Sequence, residues 1–300
     1  WLGDHVRLGL TTNVNEQDAD DSSLNAADLT FRMAAETWLK VQHGQSEGLI
    51  QLPQLSADGG FGFQAYDPNS FTNAKASANR VDLSLSSKDL INRGNARLTV
   101  YTQDVEAGYS APGMAALTDT SNYGGSFSLP IGERVSVGAK LDFLEQEQGL
   151  ESSAQEINVG YRIGENWDVS AGYRVDERVD NSPIVALTQE EGERADAVVQ
   201  VGYDSRGDWN TYAFMQDTVA VTGNRVENQR FGVGGSVRVS DRLNLDMEVS
   251  DGDLGTGGRI GSNYLHSERT SVYLNYAVED ERTDNGLRAG RGREGNLVAG

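Results

Sequence analysis

From Val135 the chain alternates, with Val135, Val137, Ala139, Leu141 and Phe143 on one side and Ser136, Gly138, Lys140 and Asp142 on the other. The same period of two returns over Ile157–Ile163, Trp167–Asp176, Phe231–Val239, Leu243–Val249 and Val272–Val278. Alternation kept up over such lengths predicts β-strands with one apolar and one polar face. The links between them also alternate. Ile131–Arg134, Gly164–Asn166, Ser205–Asp208, Asp241–Arg242 and Ser267–Glu268 are short and built from turn-forming residues. Longer polar links fall near 108–121, 147–154, 180–194, 222–227, 252–257 and 280–294. Strand, tight turn, strand, long loop predicts an all-β, up-and-down antiparallel transmembrane β-barrel of roughly 16 strands, with turns at one rim and acidic loops at the other.

The first part of the chain is less regular. Val6, Leu8 and Leu10 predict one strand and Leu29, Phe31 and Met33 the next, with a turn near Glu36 leading into Leu39 and Val41. Residues 46–78 form a long link around Asp58-Gly59-Gly60-Phe61-Gly62-Phe63. It is expected to be either a surface loop with its own short strand or a loop folded into the lumen. Residues 1–300 are expected to form a single domain. The chain opens at Trp1 and ends at Gly300 within an apolar alternation, as expected of a segment of a longer protein.

Composition narrows the classes. With 35 Gly, 5 Pro and 11 Tyr the chain suits many strands and turns, and with no Cys it excludes a disulfide scaffold or a thiolate metal site. A formal charge of −20 argues against a nucleic-acid partner. No apolar run approaches the ~18 residues of a membrane helix, but a barrel strand needs only about 10 with one apolar face.

The tryptophans fix a level. Trp167 and Trp209 each follow a short turn, Trp38 follows the turn near Glu36, and Tyr203 sits on the facing arm of such a turn. Together they predict an aromatic girdle at a membrane interface. The polar faces carry charges of both signs, and Lys140, Asp142, Arg162, Asp168, Arg174, Asp176, Arg238, Asp246 and Glu248 are expected to face the lumen.

Chemistry-bearing motifs are sparse. His5, His43 and His266 are scattered, and the proximity of Ser262 to His266 is a weak signal for a hydrolase. The Gly252–Gly258 stretch, with Asp251 and Asp253, lacks the spacing of a calcium loop and is expected to be a hairpin loop. Arg288, Arg291 and Arg293 form a short basic run able to touch lipopolysaccharide phosphates, although a solvated loop is the simpler expectation. No catalytic, cofactor or metal residues are assigned, and no enzyme activity is expected.

Several phrases resemble a known family. They are Tyr109-Ser110-Ala111-Pro112-Gly113, Asn181–Gly192, Asp196–Val201, Val249–Gly255 and Val272–Tyr276. They are similar to the C-terminal β-barrel region of very large, mostly uncharacterised proteobacterial outer-membrane proteins with long extracytoplasmic repeats ahead of the barrel. The resemblance implies an outer-membrane location and no enzymatic residues. The expected function is therefore a pore, or the membrane anchor or translocator of a larger surface protein. Its partners would be outer-membrane lipid and lipopolysaccharide, with a solute in the lumen. The alternatives are a soluble adhesin-like surface β-protein and, less favoured, an outer-membrane hydrolase.

Overall fold

The computed structural model describes residues 3–15, 22–48, 54–55, 64–65, 75–111, 114–116, 118–147, 149–181, 191–267, 270–277 and 296–299. One antiparallel sheet of 16 strands runs through it with every strand beside its neighbour in sequence. The strands are β1 (Val6–Asn15), β2 (Ser22–Arg32), β3 (Trp38–Glu47), β4 (Lys75–Ser86), β5 (Arg97–Val105), β6 (Thr120–Ile131), β7 (Val135–Gln146) and β8 (Leu150–Ile163). They continue as β9 (Trp167–Asp180), β10 (Gly192–Asp204), β11 (Trp209–Val221), β12 (Arg230–Ser240), β13 (Leu243–Gly252), β14 (Gly257–Ser267), β15 (Thr270–Ala277) and β16 (Asn296–Ala299). The strand order places β1 and β16 at its two ends, each paired on one side among the described residues.

Burial is inverted relative to a water-soluble protein. Large apolar side chains stand exposed along the strands, Met215 at 60% and Met247 at 58%, while Arg194, Asp196, Gln216 and Arg230 are buried. The two sets obey the period of two. On β9, Trp167 and Tyr173 face out and Asp176 and Asp180 face in. A sheet that meets hydrocarbon on one side and hydrogen-bonding groups on the other is expected to show this arrangement.

The register shows how the strands tilt. A single row of paired residues starts at Trp38, at the turn end of β3, and passes through Ser84, Thr99, Ser126, Lys140, Glu156, Arg174 and Asp196. It ends at Thr218, at the loop end of β11. Strands inclined to a barrel axis produce this stagger, each strand raising the row by about 3 Å.

One connection is shorter than the sequence suggested. β8 begins at Leu150, so residues 147–149 alone join it to β7 and the link expected over 147–154 is a tight turn. Glu151, Ser152 and Ser153 are polar on both faces and hide the continuation, but they pair with β7 on one side and β9 on the other. Between β4 and β5 a one-turn helix, α1 (Ser87–Ile91), ends at Asn92 in the left-handed region, φ 53°. Within 48–74 two residue pairs, Gln54–Leu55 and Gln64–Ala65, form a minute ladder. Asp58–Phe63, residues 182–190 of the link expected over 180–194, and the whole link expected over 280–294 with its Arg288–Arg293 run lie outside the described residues.

Candidate functional site: the polar inner face

The nine charged residues expected to face the lumen share the inner side of the sheet. Lys140 and Asp142 are on β7, Arg162 on β8, Asp168, Arg174 and Asp176 on β9, Arg238 on β12, and Asp246 and Glu248 on β13. They divide by height. Near the turns, Arg162 lies opposite Asp168, and Arg238 Nε pairs with Asp208 at 3.3 Å while its Nη2 donates to the Gly207 carbonyl. A cavity of about 670 Å³ opens there, lined by Arg134, Arg162, Asp168, Asp204 and Arg206. Arg206 adopts φ 59° and turns its guanidinium onto the Glu165 carbonyl at 2.7 and 2.8 Å, tying two neighbouring turns together.

Nearer the loops the inner face of β9–β11 is a dense ion-pair belt. Arg174 pairs with Asp176, Arg178 with Asp180 and Arg194 with Asp196 at 3.5, 3.5 and 2.9 Å. Each pair is separated by one residue, and so shares a face of its strand. Asp196 also accepts from the Thr218 hydroxyl at 2.7 Å. The link after β11 folds over this belt. Arg225 donates to Asp176 two strands away, Arg194 donates to the Val226 carbonyl at 3.4 Å, and the Asn228 amide donates to Thr218 at 2.8 Å.

Two rows cross a glycine. Tyr101 on β5 lies opposite Gly124 on β6, which lies opposite Asp142 on β7, and the phenol reaches over the glycine to the carboxylate. Tyr212, Gly234 and Glu248 repeat this on β11–β13. A Cβ on Gly234 would stand 2.4 Å from the Tyr212 hydroxyl, so only glycine lets the ring lie flat across the strand. Arg80, chelated by Asp82, stacks on Tyr101 at 4.9 Å.

A second link folds inward over β2–β5. Tyr109 packs with Leu24, Ala76 and Val105, and the Ser110 amide donates to the Ser46 hydroxyl at 2.9 Å. Burial pushes the Tyr109 phenol above its ordinary pKa.

Three of the four rings expected at the interface stand together. Trp167 and Tyr203 meet edge to face at 4.9 Å, and Tyr203 lies 5.3 Å from Trp209, all on the outer face. Trp38 does not join them. It pairs with the fully buried Ser84 and shares its side of β3 with Lys40 and Gly44, so it stands at the same turn level but faces inward. The turn fixed its height, but strand parity decides its face. Ser262 donates to the Leu274 carbonyl at 3.4 Å rather than to His266. Asp251 accepts from Thr256, and Asp253 accepts from the Gln229 amide, so both carboxylates brace loop backbone or side chains.

No family model and no curated protein sequence matches the chain. Among solved structures it is similar to the KdgM porin, with 10% identity, TM-score 0.36 and coverage of 64% of this chain and 94% of that one. It is also similar to a triple mutant of the Rhodopseudomonas blastica porin, with 12% identity, TM-score 0.40 and coverage of 91% and 92%.

The sequence reading missed Arg194, Asp196, Arg225, Tyr101 and Tyr212. The signal for the first two was present, because four of the six Arg-x-Asp steps in the chain, at 80–82, 174–176, 178–180 and 194–196, fall within strands. No local pattern marks Arg225, which acts from a link.

Proposed function

We propose that this chain forms the wall of a bacterial outer-membrane β-barrel that passes small hydrophilic solutes through a polar lumen. The inverted burial carries the reading: exposed apolar residues on one face of most long strands, and buried charged or hydrogen-bonded residues on the other. The outward band meets lipid, and the loop rim would lie against lipopolysaccharide. No helix among the described residues is long and apolar enough to cross a membrane, so any crossing is made by strands. The chain acts as a channel and not as an enzyme. The inner charges are of both signs and largely paired, which gives weak ion selectivity.

The second reading, a plugged anchor or translocator, is favoured by the two links that fold onto the inner face, at 106–111 and 222–229. Single-channel recording of the refolded protein in a planar bilayer separates the two. Steady unit conductance supports the pore. Insertion without conductance supports the anchor. A protein that stays soluble and β-rich without inserting contradicts both.

A further inference from the structure

The outward apolar band is not uniform around the wall. On β7 it holds five successive outward residues, Val135 to Phe143, and on β9 it runs from Trp167 to Val175. On β3 it stops after Leu39 and Val41, and on β5 after Leu98 and Val100. The outward positions that follow are polar: Asn25 on β2, His43 and Gln45 on β3, Asn79 on β4 and Asp104 on β5. All five are exposed. The register brings them together, since His43 pairs with Asn79, and Asn79 with Asp104. His43 Nδ1 and Asn79 Oδ1 lie 2.8 Å apart.

The patch is not simply the top of the wall. Each outward residue adds about 5 Å of height in a tilted strand. Starting from the turn-level Leu39, His43 therefore stands at roughly half the height that the apolar band reaches on β7 and β9, and Asn25, Gln45, Asn79 and Asp104, one outward residue higher on their strands, at about three quarters of it. Around the rest of the wall this height is occupied by residues such as Val199, Met215, Val233 and Met247. Polar side chains at hydrocarbon depth are costly unless something supplies hydrogen bonds, and a short apolar stretch is relieved either by thinning the bilayer or by association.

Resting on the membrane reading above, we propose that the outer face of β2–β5 is an interface between copies of this chain. Two features select a second copy. Within the chain Asn25 Oδ1 accepts from Thr12 at 2.9 Å and Asp104 from Ser121 at 2.8 Å, but the side-chain amide N–H groups of Asn25, Gln45 and Asn79 and the second ring nitrogen of His43 can be met by the same surface on another copy, whereas acyl chains cannot meet them. The charge is wrong for lipid phosphate: Asp104 is acidic, and Lys75, the nearby cation, is paired with Glu47 at 3.3 Å. The wall behind the patch is also braced. The inward link sets Tyr109 against Gly44 and Ser110 on Ser46, and those two β3 residues alternate with His43 and Gln45.

The absence of cysteine makes the test clean. Gln45→Cys and, as a control on the uniformly apolar side, Met247→Cys are refolded into liposomes and treated with a short bis-maleimide. The expected result is a crosslinked oligomer with Gln45→Cys and none with Met247→Cys. The double variant His43→Leu, Asn79→Leu should stay folded, keep its heat-modifiable migration in gels and shift the oligomer midpoint to about tenfold higher protein-to-lipid ratio, the effect of losing one or two interchain hydrogen bonds. A folded, inserted wild type that is monomeric at every ratio overturns the interface alone, as does a monomer with locally thinned lipid. A chain that does not insert overturns the membrane reading and the interface with it.

Discussion

At the residue scale the inner face rests on a small set of pairings. Arg194 and Asp196 form a closely enclosed ion pair, with side chains 3% and 1% exposed. Removing one member of such a pair leaves the other charge stranded, at a cost of about 3–5 kcal/mol. Asp196→Ala should lower the unfolding free energy of the detergent-folded protein by that order and its urea midpoint with it, whereas the double change Arg194→Met, Asp196→Leu should recover most of the loss. An unchanged midpoint for the single variant would show that the pair is hydrated in solution. The glycine crossings make a separate prediction. Gly234→Val places a branched side chain where the Tyr212 ring lies, and should destabilise by about 1–3 kcal/mol, the usual cost of overpacking. Adding Tyr212→Ala should relieve that loss, and equal losses in the single and double variants would refute the ring-over-glycine packing. The Arg-x-Asp spacing was readable in the sequence because residues two apart on a strand share a face. The tyrosine–glycine rows were not, since they need the register of three strands.

At the scale of elements, most strands were legible from alternation alone, and the turns at 164–166 and 205–208 lie where turn residues predicted them. The failures share one cause. β8 extends through residues polar on both faces, and Trp38 sits at the right height on the wrong side, because neither pairing nor parity is written in the turn. Links are harder still. Nothing local distinguishes 222–229, which folds inward, from an ordinary surface loop, because its anchors, Asp176 and Thr218, belong to strands. If that fold-back narrows the lumen, Arg225→Ala should raise unit conductance in a planar bilayer without altering the folded fraction. Asp176→Asn, which removes the carboxylate charge facing Arg225, should act in the same direction. Conductance unchanged in both variants would place the link outside the conducting path.

At the scale of the whole molecule, the claim is that one face of the sheet meets lipid and the other meets water. The near balance of acids and bases on the inner wall contrasts with the formal charge of −20 for the chain. The excess acid therefore lies mainly in links and outside the hydrocarbon, where it is solvated at little cost. An outward charge at mid-height should be poorly tolerated: Met247→Arg should reduce folding into liposomes, with a cost of about 2–4 kcal/mol at the bilayer midplane. The most direct measurement uses a run of single cysteines across β8, at Ile157, Asn158, Val159 and Gly160, each carrying an environment-sensitive fluorophore in liposomes. The barrel account predicts alternation: blue-shifted emission quenched by lipid-borne quenchers at 157 and 159, and water-like emission quenched by aqueous iodide at 158 and 160. Uniformly aqueous emission at all four positions would contradict it and return the chain to the soluble surface proteins.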